Sequence, residues 1–157
     1  MYIETTIPSA YFDIRRDPAM VARRDATRRW WATAGERYEL VTSALVREEL
    51  EQGPVPMRSR WLELIEYVPL LKRSRRTGEI ASVYITHKLM PAEPSGDAVH
   101  LALASTHSCS YLLTWDRKHL ANPNKARHIQ HLNEALELFV PRILTPLELL
   151  EEETDAG

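Results

Sequence analysis

Short apolar runs alternate along this chain with stretches of helical spacing, and that alternation constrains the fold more than any other feature. Tyr2-Ile3 opens the first run, and residues 38–41, 111–114 and 141–144 supply three more; Val68-Pro69-Leu70-Leu71 reads as a short extended link. Helical patterns fill the intervals at residues 19–34, ended by Gly35, at 45–50, stopped by Gly53-Pro54, and at 57–67, 78–90, 95–107 and 126–136. Thr42-Ser43 offers an N-cap, and Thr145-Pro146 starts a last helix through Leu150. Strands separated by helices are joined by crossovers, which make a parallel sheet with both faces covered. The expectation from the pattern is an α/β fold with a parallel sheet.

With 157 residues the chain can bury one core without disulfides or structural metals. No linker or repeat divides it, so residues 1–150 read as one domain and 151–157 as a flexible acidic tail. Cys109 is the single cysteine, which rules out an intrachain disulfide and a cysteine-built zinc site. No apolar run approaches the roughly 20 residues of a membrane helix, and the first residues lack a basic segment followed by an apolar one. These features favour a cytoplasmic protein with no membrane partner. The 20 basic and 22 acidic residues leave a net charge of −2, so no global field draws in nucleic acid. The basic residues are nevertheless clustered, at Arg15-Arg16, Arg23-Arg24, Arg28-Arg29 and Lys72 to Arg76, and such clusters can line a phosphate-binding rim as well as a solvated helix face.

Four acids share a position. Glu4 and Asp116 close apolar runs, Asp97 opens an otherwise apolar helix, and Glu49 or its neighbour Glu48 lies in the helix after the second run. Parallel strands bring their carboxyl ends to one edge, so acids more than 110 positions apart can converge there. Carboxylates gathered in this way are commonly bridged by a hard divalent cation, and the chemistry that follows is metal-assisted hydrolysis of a phosphodiester. Taken singly, Asp97 can equally complement a helix dipole and Asp116 can cap the segment after it.

Tyr2-Ile3-Glu4-Thr5-Thr6-Ile7, Thr42 to Leu50, Asp97-Ala98-Val99-His100-Leu101-Ala102-Leu103-Ala104 and Leu113-Thr114-Trp115-Asp116-Arg117-Lys118-His119-Leu120 together resemble a PIN domain of the VapC toxin-like group, in the right order over nearly the whole chain. The resemblance implies a three-layer α/β/α fold around a central parallel sheet of about four to five strands, and a metal-dependent endoribonuclease, the toxin of a type II toxin–antitoxin pair, held in check by a cognate antitoxin. It also implies that Glu4, Glu49, Asp97 and Asp116 are catalytic and bind one or two Mg²⁺ or Mn²⁺ ions. Glu4 stands where the family more often has Asp. Ser43 lies six positions before Glu49 and Gly53 four after it, which favours Glu49 over Glu48. RNA, the antitoxin and a second copy of the chain are the implied partners. The competing reading is a PIN-like module without catalysis that acts by binding protein or RNA.

Thr5 is placed to orient Glu4, and Thr114 to support Asp116, although β propensity alone accounts for both threonines. His100, one turn after Asp97, faces either the same pocket or the helix interior. His119 lies beside Asp116, while His128 and His131 share an exposed helix face. Asn122 and Asn133 match polar positions of the same group and have no assigned catalytic role. With five glycines and no Gly-x-Gly-x-x-Gly or Walker-type loop the sequence speaks against nucleotide-cofactor binding, and no Gly-x-Ser-x-Gly elbow marks a serine hydrolase.

Overall fold

A computed structural model describes residues 1–156. The elements run β1 (Tyr2–Ile3), α1 (Thr6–Tyr11), α2 (Pro18–Arg37), β2 (Thr42–Ser43), α3 (Ala44–Glu51), α4 (Val55–Leu64), β3 (Leu70–Leu71), α5 (Arg75–Thr86), α6 (Gly96–Thr106), β4 (Tyr111–Leu113), α7 (Ala126–Ala135), β5 (Arg142–Leu144) and α8 (Pro146–Ala156), with a 3₁₀ turn at Pro123–Lys125. All strand pairs are parallel. The strands form a three-stranded sheet β1-β4-β5 and a two-stranded sheet β2-β3, where one continuous sheet of four to five strands was expected. A bridge between Tyr2 and Val41 joins the two, with Ile3 N–H donating to Val41 O and Val41 N–H to Met1 O, each at 2.8 Å. The ladder stops there because Ser43 is already the N-cap of α3, its hydroxyl accepting from Val46 N–H at 3.3 Å.

Alternation along two-residue strands builds the layers. Tyr2 pairs with Leu112, and both enter a core with Val46, Leu50, Ile80, Tyr84, Leu101 and Ile129, on the side of α3, α5, α6 and α7. Ile3 pairs with Leu113, and both point the other way, into a core with Ile7, Ala26, Trp30, Leu144 and Leu149 from α1, α2, β5 and α8. The result is the expected α/β/α sandwich.

Several boundaries differ from those read in the sequence. The helix α2 passes through Gly35 to Arg37 because nothing crowds that position and Tyr38 supplies the extended cap. The second strand falls at Thr42–Ser43, after residues 38–41. The helix α5 begins at Arg75, three residues earlier than expected, because Ser74 and Thr77 form a reciprocal capping box. The acidic segment expected as a flexible tail is helical through Ala156, with Glu153 bonded to Tyr38 and Arg37 and Glu152 to Arg142; Gly157 lies outside the described residues. Among the described residues no helix is long and apolar enough to cross a membrane.

Two features fix the helices near the site. The helix α6 is buried on every side from Ala98 to Ser105, so the sheet, α3 and α5 must satisfy whatever polar groups it carries. Asn133 meets one of these needs: its amide nitrogen donates to Ser105 Oγ and Phe139 O, both at 2.9 Å, and its oxygen accepts from Tyr84 OH at 2.6 Å. Asn133 is thus a structural hub. Gly53, after α3, is the second feature: a Cβ there would stand 2.3 and 2.9 Å from ring carbons of Trp61 on α4. Gly53→Ala must displace that indole, and a loss of about 1–3 kcal/mol in urea unfolding is expected; an unchanged midpoint would show that α4 shifts freely.

Candidate active site

The strand β1 ends at Glu4, whose N–H extends the ladder to Leu113 O at 3.2 Å before Thr5 turns helical. Its side chain is 4% exposed and must therefore be satisfied by the protein. Glu4 Oε1 accepts from Thr6 N–H at 3.0 Å, Thr6 Oγ1 at 2.5 Å and Thr114 Oγ1 at 2.7 Å. Oε2 takes no hydrogen bond. Among the described residues the only side-chain polar atoms sealed from solvent without a partner are the indole nitrogens of Trp30 and Trp61, so Glu4 Oε2 opens to solvent. One oxygen fixes the carboxylate, and the other is presented.

Glu49 comes from the outer half of α3. Its Oε1 accepts from Thr5 Oγ1 and bonds His100 Nε2, each at 2.6 Å. The His100 ring is 99% buried within α6, and its Nδ1 meets Tyr2 OH at 2.6 Å; Tyr2 OH in turn meets Ser43 Oγ at 2.7 Å. With His100 neutral, one proton arrangement satisfies the whole chain: Ser43 donates to Tyr2, Tyr2 to Nδ1, and Nε2–H to Glu49. Burial lowers the His100 pKa, but the Glu49 hydrogen bond and the charges of Glu4, Glu49 and Asp97 outweigh it and leave the pKa raised. Burial pushes Glu49 up, and the bonds from His100 and Thr5 with the His100 charge bring it below its ordinary value. Tyr2, buried among these acids, is held far above the usual phenol range.

Asp97 stands in the first turn of α6 and Asp116 directly beyond β4. Asp116 Oδ1 accepts from the N–H groups of Lys118 at 3.0 Å and His119 at 2.9 Å, and its own N–H donates to Thr114 Oγ1 at 3.0 Å. Burial, then the charges of Asp116 and Glu4, then a hydrogen bond with Asp116 push the Asp97 carboxyl up to about 7.

The four acids named from the sequence thus gather at the carboxyl edges of β1 and β4. Glu49 is the one that joins them, while Glu48 is exposed on the outer face of α3. The threonine roles differ from expectation. Thr5 serves Glu49, Thr6 binds Glu4, and Thr114 joins Glu4 to Asp116, because the turn at Thr5 directs consecutive side chains to different neighbours. Thr6, Tyr2 and Ser43 are site-supporting residues that the spacing did not reveal. His100 faces the pocket and is also a satisfied helix histidine. His128 and His131 are exposed, and Asn122 caps the 3₁₀ turn, accepting from Asn124 N–H.

The donor set suits a hard cation: it is all oxygen, it is crowded enough to hold a proton on Asp97, and it includes a free oxygen on Glu4. Among the described residues no group of three or more His, Cys, Asp or Glu side chains is arranged to hold a metal ion. The set therefore matches the open mode in which one or two carboxylates hold Mg²⁺ and waters complete its shell. Beside the acids, a cleft of about 310 Å³ is bounded by Thr6, Asp13, Arg15, Arg23, Trp115 and Asp116. Comparison of the chain with protein-family models, with curated proteins and with solved structures gives no match.

Proposed function

We propose that this protein is a Mg²⁺- or Mn²⁺-dependent endoribonuclease of the PIN type, similar to VapC-like toxins, acting in the cytoplasm and restrained by a cognate antitoxin. The observation that carries this reading is the meeting of Glu4, Glu49, Asp97 and Asp116 on one sheet edge, with Asp97 pushed up to about 7 by burial and by the charges of Asp116 and Glu4. One or two of Glu4, Asp97 and Asp116 would hold the ion, with waters completing its shell, and Glu49 would complete its surroundings. A divalent ion bound there supplies charge neutralisation for the phosphoryl oxygens and lowers the pKa of a water. The chain's own part is positional. Thr6 and Thr114 lock Glu4, Thr5 and His100 lock Glu49, and the N–H groups of Lys118 and His119 lock Asp116, so that little reorganisation remains when substrate arrives.

Single-stranded RNA incubated with the protein and Mg²⁺ or Mn²⁺ should be cut internally, and EDTA or Asp97→Asn should abolish the cutting. Cleavage that survives both would overturn the proposal. The engagement of Glu49 by His100 and the lack, among the described residues, of three such side chains arranged for a metal favour the second reading, a binding module without catalysis. Calorimetric titration with Mn²⁺ separates the two, since the ribonuclease should bind one or two ions and the binding module none.

A further inference from the structure

We infer that the cleft beside the acidic group is a subsite for a backbone phosphate of single-stranded RNA, with Arg23 of α2 as its anchor. This rests on the ribonuclease reading and adds a substrate contact to it. The cleft opens between Thr6, which holds Glu4, and Asp116, so a strand whose scissile bond lies over the acids passes directly into it. Two cations line it, and they differ in availability. Arg15 is spent on Asp13, with Nε at 3.0 and 3.1 Å from the two carboxylate oxygens and Nη2 at 2.5 Å. Arg23 makes no ion pair among the described residues.

The Arg23 guanidinium rests instead over the indole of Trp115, 5.5 Å from the ring centroid. That platform is rigid. Trp115 is 5% exposed, its ring N–H donates to Thr27 Oγ1 at 2.8 Å, and its backbone N–H donates to Thr6 Oγ1 at 2.8 Å. A cation–π contact engages the guanidinium charge without using its N–H donors, and a planar fork with free donors is suited to two oxygens of one phosphate. Trp115 also directly precedes Asp116, so the anchor keeps a constant distance from the acids. A cation next to a cluster of carboxylates would ordinarily pair with one of them. Arg23 is held off by its contact with the indole, which leaves its donors for an incoming anion.

The test uses the full chain carrying Asp97→Asn, so that RNA is bound and not cut, with a short fluorescein-labelled single-stranded RNA followed by anisotropy over a range of salt. Adding Arg23→Gln should weaken binding about tenfold at low salt and reduce the slope of log affinity against log salt by about 0.7, the share of one phosphate contact on a single strand. Arg15→Gln, made in parallel, should leave the slope unchanged, because Arg15 is already paired. Arg23→Lys, which keeps the charge and loses the fork, should retain the slope and lose part of the affinity. If the parent binds RNA and Arg23→Gln alters neither affinity nor slope while melting as the parent does, the subsite is refuted and the ribonuclease reading stands. If the parent binds no RNA at any salt, both fall.

Discussion

Asp97→Asn is expected to raise the melting temperature of the metal-free protein at pH 8 while removing RNA cleavage. Burial, and then Asp116 and Glu4, push the Asp97 carboxyl up to about 7 from an ordinary 3.8. A carboxyl whose pKa is raised by folding contributes stability that is fully present below the unfolded value and is lost as pH rises through the folded one. Ionising Asp97 therefore works against the folded state between about pH 4 and 7. The whole shift would correspond to about 4 kcal/mol at 1.36 kcal/mol per unit. Asp97 is only partly buried, and solvent screening reduces the effect to about 1–2 kcal/mol. For a chain of this length that is a gain of about 3–6 °C. Scanning calorimetry should show the gain in full at pH 8 and nearly absent at pH 4. On the metal-dependent reading proposed above, Mn²⁺ should raise the midpoint of the native chain and leave that of the variant in place. A variant less stable than the native chain at pH 8 would mean that Asp97 is held by contacts and not opposed by charge.

The second large effect is expected at His100, where alanine should cost about 2–4 kcal/mol. Removing the imidazole empties part of a helix buried on all sides, takes a donor from Glu49 and leaves the buried Tyr2 hydroxyl with Ser43 alone. The pH dependence identifies the cause. A raised His100 contributes stability present below its ordinary 6.5 and lost as pH rises through the folded value, while a lowered Glu49 contributes stability present above 4.5 and lost as pH falls through its folded value. The coupling between the two should therefore be largest from about pH 4.5 to 6.5. A double-mutant cycle of His100→Ala with Glu49→Gln, run by urea unfolding at pH 5.5 and at pH 9, should give a coupling energy that shrinks at the higher pH. Equal values at both would reduce His100 to a space-filling residue.

The site was legible where it depends on chain direction and illegible where it depends on side-chain torsion. Glu4 and Asp116 end apolar runs, and parallel connectivity alone brings such ends together, so their meeting follows from the alternation of strands and helices. Glu49 was separable from Glu48 only through the resemblance, whose spacing from Ser43 and to Gly53 singles out Glu49. Nothing local tells that Thr6 and not Thr5 binds Glu4, since that depends on backbone angles at a single turn. The partnership of Tyr2 with His100 joins residues 98 positions apart and is invisible to periodicity. The second strand was misplaced because Tyr38, Leu40 and Val41 carry the stronger β propensity, although Tyr38 and Leu40 pack into the core beside Trp30 without regular ladder bonds.

The position of β1 bears on how the molecule comes into being. Its neighbours are Val41 on one side and β4 on the other, so β1 is enclosed only after β4, more than 100 residues further along, has been made. Glu4 cannot meet Asp97 and Asp116 until about three-quarters of the 157 residues have emerged. A partly synthesised chain that lacks residue 116 therefore carries no assembled acidic edge.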